Sequence, residues 1–97
     1  SENKINFDKL IFALKNDCLI QWQKTKKTFI IGQNKAFAET LESMTLLTKV
    51  PYFNDWINQL KNHVDRFDVE NLSESLNKFP EHIKKLEMNY KTFYEVD

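Results

Sequence analysis

A chain of 97 residues can bury one hydrophobic core but not two, so a single domain spanning residues 1–97 is expected. Fourteen basic residues against fourteen acidic ones leave no net charge, which argues against a polyanion or an acidic membrane surface as partner, and so against nucleic-acid binding. No apolar run approaches the roughly 20 residues that cross a bilayer and no signal peptide is present, so direct membrane contact is not expected. The single cysteine, Cys18, excludes an intramolecular disulfide and suits a reducing, cytoplasmic compartment. The chain opens on Ser1 rather than on methionine, which sets the expectation of a piece cut from a larger protein.

One glycine and two prolines are too few turn residues for a β-sandwich or a doubly wound fold, and an all-α domain is the economical reading. In the first helix Phe7, Leu10, Ile11, Leu14 and Cys18 share one face, with Trp22 near its edge. Asn3 or Asn6 is placed to cap it. Lys24, Lys26 and Lys27 follow, and cations at a helix C-terminus complement the negative end of its dipole. Thr28 to Ile31 has strand-like composition but nothing to pair with, so it reads as the connection ending at Gly32. A second helix then runs from about Gln33 through Phe37, Leu41, Met44 and Leu47 to near Lys49. Pro51 suits the first position of a third helix, where its missing N–H has no partner to lose. Phe53, Trp56, Ile57, Leu60, Val64 and Phe67 form that helix's apolar face.

Asp68 is a good N-cap for the last helix, because its carboxylate accepts otherwise orphaned backbone N–H groups. Behind it Val69, Leu72, Leu76, Phe79, Ile83 and Leu86 alternate steps of three and four, and Tyr90 and Phe93 keep the rhythm. Pro80 cannot donate to an i−4 carbonyl and crowds that of Leu76, so the helix is kinked or interrupted there. Because Tyr90 and Phe93 hold the spacing, the helix should reach at least Tyr90 and pack against the first helix. Four helices joined by short connections predict an up-and-down antiparallel four-helix bundle.

His63 on the third helix is the one residue whose placement suggests chemistry, since a phosphotransfer domain carries a surface histidine in the middle of a bundle helix. That chemistry also wants a following lysine and a small residue, roughly H-x-x-K-G, to offset the phosphate charge and admit the incoming domain. Here Val64, Asp65, Arg66 and Phe67 follow. Arg66 can play the basic part, whereas Asp65 opposes the phosphate and Phe67 adds bulk. A partly packed histidine without chemical role is the favoured reading. His82 follows Pro80, but no second histidine or cysteine lies at metal spacing, so no metal site is expected. Cys18 reads as a small core residue. A phosphate-binding glycine loop, a nucleophile triad and a separated carboxylate pair are all missing, so no cofactor, no catalytic residue and no enzyme activity are expected of the domain. Trp22, Trp56 and the eight phenylalanines read as core.

The stretch VPYFNDWINQLKNHVDRFDVENLSESLNKFPEHIKKLE resembles the C-terminal helical domain that follows the receiver in many bacterial hybrid sensor histidine kinases and response-regulator proteins. The residues that carry the resemblance are Pro51 opening a helix, Leu60 further along it, and the triplet Phe67, Asp68, Val69. Leu76 and the pair Phe79–Pro80 with Ile83 and Leu86 behind it complete the set. Leu14, Trp22, Ile30, Phe37 and Leu41 match the spacing of the family's first two helices, so the likeness covers roughly residues 7–88. Trp56–Ile57 departs from it, where the family often has a small residue such as glycine.

The resemblance implies a two-component phosphorelay module, shaped like a histidine phosphotransfer (HPt) bundle but lacking the histidine motif. Such a module acts in signal transduction by protein-protein contact, either docking on a receiver or histidine kinase domain of the same or a partner protein, or pairing as a homodimer. The parent protein would then be a hybrid histidine kinase or response regulator, and the module cytoplasmic, as the inner part of a membrane-bound sensor also is. Two alternatives stay open. One is a true phosphotransfer domain using His63, and the other a free-standing adaptor that holds an effector helix in a groove between its own helices.

Overall fold

The computed structural model describes residues 1–95, and among them every regular element is a helix. The chain begins with α1 (Glu2–Ala13), a π-helical turn (Leu14–Cys18) and α2 (Leu19–Thr28). The backbone stays helical through both junctions, at φ −63 and ψ −39 for Leu14 and φ −64 and ψ −39 for Leu19, so the three form one rod. Ser1, rather than Asn3 or Asn6, caps it, its Oγ accepting from the Lys4 N–H at 3.3 Å. The wide turn has a cause in the apolar spacing. Leu10, Leu14, Cys18 and Trp22 are all buried and follow one another in steps of four. On an α-helix each such step overshoots a full turn by about 40°, so three would carry Trp22 away from the core. A π turn holds more residues per revolution and returns Trp22 to the same face.

Phe29 closes α2 in the left-handed region at φ 51, its N–H bonded to the Thr25 carbonyl at 2.9 Å. Extended Ile30 then starts α3 (Ile31–Met44), so the break lies just before Gly32, which falls inside the first turn of α3. α3 stops at Met44, short of Lys49, where hydroxyl groups compete for its last carbonyls: Ser43 Oγ donates to Thr40 and Thr45 Oγ1 to Glu42. Leu47, expected on that helix, stands in the connecting loop and is 75% exposed.

Pro51 opens α4 (Pro51–Asp65), preceded by extended Val50 as a residue before proline must be. Phe53, Trp56, Ile57, Leu60 and Val64 are buried along it. Phe67 is not. The chain has already left the helix there, at φ 54, and the ring is 71% exposed. Asp68 caps α5 (Val69–Leu76) as expected, its Oδ1 accepting from the Asn71 N–H at 3.3 Å and its Oδ2 from Asn71 Nδ2 at 2.7 Å. Val69, placed in the seam by its spacing, is exposed in the first turn. The expected interruption is real but falls at Asn77–Lys78, so Pro80 sits harmlessly in the first turn of α6 (Phe79–Tyr94).

Phe79 lies at the centre of the core. Its ring is 5.2 Å from Phe37, 5.8 Å from Trp56 and 6.0 Å from Trp22. The two indoles also end α5. Trp22 Nε1 donates to the Leu76 carbonyl at 2.8 Å, a group the helix end leaves without a backbone donor, and Trp56 Nε1 to that of Ser75 at 2.9 Å, which also accepts from the Lys78 N–H at 3.1 Å. Helices α2, α4 and α5 therefore meet at one hydrogen-bonded point above Phe79.

α1 packs on α6, α2 on α3, α3 on α4 and α4 on α5, in a body of 45 × 22 × 19 Å. The α1–α6 contact joins Phe7 to Tyr90 and Tyr94, edge-on at 5.8 and 6.1 Å. Lys15 and Glu87 pair at 2.9 Å across the same seam. The last helix thus reaches past Tyr90 and leans on the first. Phe93 does not take part, being 70% exposed, and Tyr94, four residues beyond Tyr90, occupies the inner face instead.

Candidate functional site

His63 lies in the last turn of α4, not in its middle. The helix ends at Asp65, with Arg66 as its C-cap and Phe67 already left-handed, so the basic and small positions of a phosphotransfer motif do not continue the helix past the imidazole. His63 is half-buried, and Asp65, Arg66 and Phe67 are exposed. The corner is rigidly tied from its backbone. The Asp68 N–H donates to the His63 carbonyl at 2.9 Å and the Phe67 N–H to that of Val64 at 3.1 Å, while the Asn71 side chain and backbone hold the Asp68 carboxyl below the usual carboxylate range. This corner presents an aromatic ring to solvent from a hydrogen-bonded backbone, with Asp65, Arg66 and Asp68 beside it in the chain.

A second candidate lies between α4 and α6, where a groove of about 580 Å³ is floored by Tyr52, Trp56 and His82 and edged by Asp55, Glu81, Lys78 and Lys85. The His82 ring is 4.8 Å from Trp56, 6.0 Å from Phe53 and 6.1 Å from Tyr52, nearly parallel to the last. Its Nδ1 is buried with no hydrogen-bond partner. Burial and, after it, the Lys85 ammonium push the imidazole below its ordinary value. Lys85 stands 4.8 Å over the Tyr52 ring, so a cation and a neutral imidazole share one aromatic wall.

Cys18 is buried, with its Sγ 3.3 Å from Met44 Sδ, and burial followed by Asp17 pushes the thiol up to about 11. Such a thiol is inert at neutral pH. Lys26 of the basic cluster packs 4.5 Å over the Trp22 ring. Among the described residues no three His, Cys, Asp or Glu side chains converge as metal ligands, and no helix is long and apolar enough to cross a membrane.

The sequence picked out His63 and passed over the groove around His82. Its signal was nevertheless there, because Tyr52, Trp56 and Gln59 on α4, and Lys78 at the N-cap of α6 with His82 and Lys85 along it, recur at steps of three and four beside each helix's buried face. The exposure of Phe67 also had a signal. An N-cap residue has non-helical backbone, so Asp68 requires the chain to leave α4 before it, and the residue at that turn cannot extend the helix's apolar face. No known protein family matches this chain, and no curated protein or solved structure matches it.

Proposed function

We propose that the chain is a non-catalytic interaction module of a two-component phosphorelay, one domain of a larger cytoplasmic signalling protein of the hybrid sensor kinase or response-regulator type. In this reading it is an up-and-down four-helix bundle of the HPt-like kind, in which α5 and α6 together make the fourth, interrupted helix. It docks on a receiver or histidine kinase domain through the α4–α5 corner. The residue pairs behind the resemblance have structural uses consistent with this: Asp68 caps α5, Phe79 centres the core and Pro80 starts α6.

The observation that carries the proposal is Phe67. A left-handed backbone costs an L-residue about 1–2 kcal/mol, and an aromatic ring left 71% in water does not recover it. Contact with a partner would. The ring also stands where a phosphotransfer helix keeps a glycine, so it favours docking over phosphate transfer at His63. The half-buried His63 keeps the phosphotransfer alternative open to a direct test.

The reading is checked by NMR titration of the labelled chain with the receiver and the kinase domains of its own reading frame. Saturable shifts centred on residues 63–69, lost in Phe67→Ser, with no acid-labile phosphate on His63, are expected. Phosphate that disappears in His63→Gln would move the assignment to phosphotransfer. A reading frame encoding neither a receiver nor a kinase would remove the proposal and leave the free-standing adaptor.

A further inference from the structure

At the far end of the molecule from the Phe67 corner, the loop after α3 and the last turns of α6 enclose a cleft of about 560 Å³. That volume lies within the range of small-molecule sites. Its walls include Leu47 and Phe93, both large, apolar and more than two-thirds exposed, and the half-buried Tyr94. Two large apolar side chains from different elements, open to water in the lining of one concavity, mark a surface that gains by being covered.

The polar groups narrow the occupant. Among the described residues lining the cleft the one charged residue is Lys49, exposed and able to swing its ammonium over the opening, and there is no Asp or Glu. Tyr52 lines the same cleft, and its hydroxyl accepts from Asn89 Nδ2 at 2.8 Å. With an acceptor site so used, the hydroxyl's own hydrogen remains free to be donated. Burial raises the Tyr52 phenol above its ordinary value, so it remains a donor throughout neutral pH. A cation and a neutral O–H donor near the start of α4, facing apolar walls from the loop and α6, match a ligand with one anionic oxygen group and a hydrocarbon body.

We infer that this cleft binds a small monocarboxylic acid with an apolar tail, its carboxylate held by Lys49 and Tyr52 and its tail lying between Leu47 and Phe93. The inference is independent of the docking corner. Binding here does not require a receiver or kinase.

Decanoate, decanol and decylammonium, each below its micellar concentration, are the probes, and NMR titration of the 97-residue chain is the readout. Decanoate is expected to saturate at one per chain, with shifts confined to Leu47–Tyr52 and to the end of α6. Decanol should bind about tenfold more weakly and decylammonium not measurably. Lys49→Glu and Phe93→Ser change exposed side chains, so folding is retained, and each should weaken decanoate by about tenfold. Tyr52→Phe should lower the preference for decanoate over decanol while leaving decanol binding as it was. The inference is overturned by equal binding of the three probes, by shifts spread over other surfaces, by unsaturable binding, or by indifference to Lys49→Glu and Phe93→Ser.

Discussion

Phe29 and Phe67 adopt nearly the same left-handed backbone, at φ 51 and φ 54, and each ends one helix and hands the chain to the next within two residues. Their rings have opposite fates. Phe29 packs against the buried core beneath α2 and α3, whereas Phe67 stands in solvent beyond α4. The strain is comparable at the two corners, about 1–2 kcal/mol. At Phe29 burial of the ring offsets it within the chain. At Phe67 no burial among the described residues does, so a strained backbone there holds an aromatic side chain in solvent.

Substitutions can break this contrast, and the largest effect is expected at the packed end of the same helix. Leu60 is buried at the middle of the α4 face, and Leu60→Ala should lower stability by about 2–5 kcal/mol in urea unfolding, because the truncated side chain leaves a cavity. A loss under about 0.5 kcal/mol would show that α4 does not face a core. Next is Phe29→Gly. Glycine relieves the left-handed strain but removes a half-buried ring and loosens the unfolded chain, and the balance should be a loss of about 1–2 kcal/mol. Unchanged or increased stability would mean that the ring contributes nothing to the core.

Phe67→Gly should act in the other direction. The strain relieved, about 1–2 kcal/mol, exceeds the added unfolded-state entropy of about 0.5–1 kcal/mol, and no buried contact is lost, so the unfolding midpoint should rise by the equivalent of about 0.5–1 kcal/mol. The same change should weaken receiver or kinase binding. It also creates a glycine four residues after His63, so labelling of this variant asks whether bulk alone keeps phosphate off the imidazole. A destabilised Phe67→Gly would show that the ring is covered within its own chain and would dissolve the contrast with Phe29.

The helical class and most of the core were legible from spacing alone, because Phe53, Trp56, Ile57, Leu60 and Val64 repeat as one helical face must and all are buried. The failures cluster where a helix stops. Leu47 and Phe67 continue an apolar rhythm past the point where the helix has ended, since periodicity reports what a helix would bury if it continued and not where capping ends it. Val69 in the first turn of α5 and Phe93 in the last turn of α6 are helical but exposed, Tyr94 taking the inner face beside Phe93. Trp22 erred the other way. An α-helical wheel puts it at the edge of the face, and the π turn at Leu14–Cys18 brings it in. Spacing marks the two strips of residues that line the groove around His82, but neither candidate cleft could be assembled from the chain, because each joins residues from elements whose pairing no local pattern specifies.

The contrast between packed and unpacked groups extends to the histidines, and His82 provides the finest test of it. Its imidazole is held by the rings of Tyr52, Phe53 and Trp56, with Nδ1 buried and unpartnered. From α4 it is faced by Asp55, from its own helix by Glu81 and Lys85, and from that helix's N-cap by Lys78. Burial and the lysines lower its folded-state value below 6.5. A group with a depressed folded value binds fewer protons folded than unfolded, so its contribution is present above the unfolded value and is lost as pH falls. The folded chain should therefore lose stability as pH drops from about 6.5, the range in which an unfolded histidine takes its proton. The Asp68 cap, whose folded value is also depressed, fails only at lower pH, as its unfolded value near 3.8 is approached and passed. The two limbs are separated by that gap. His82→Phe keeps an aromatic ring in the wall and removes this titration, so urea midpoints between pH 7 and about 5 should fall more steeply for the native chain than for the variant, while both decline together below about pH 4. The same slope in both chains above pH 5 would show that the imidazole is as well solvated in the groove as in the unfolded chain, and that its stacking does not exclude water.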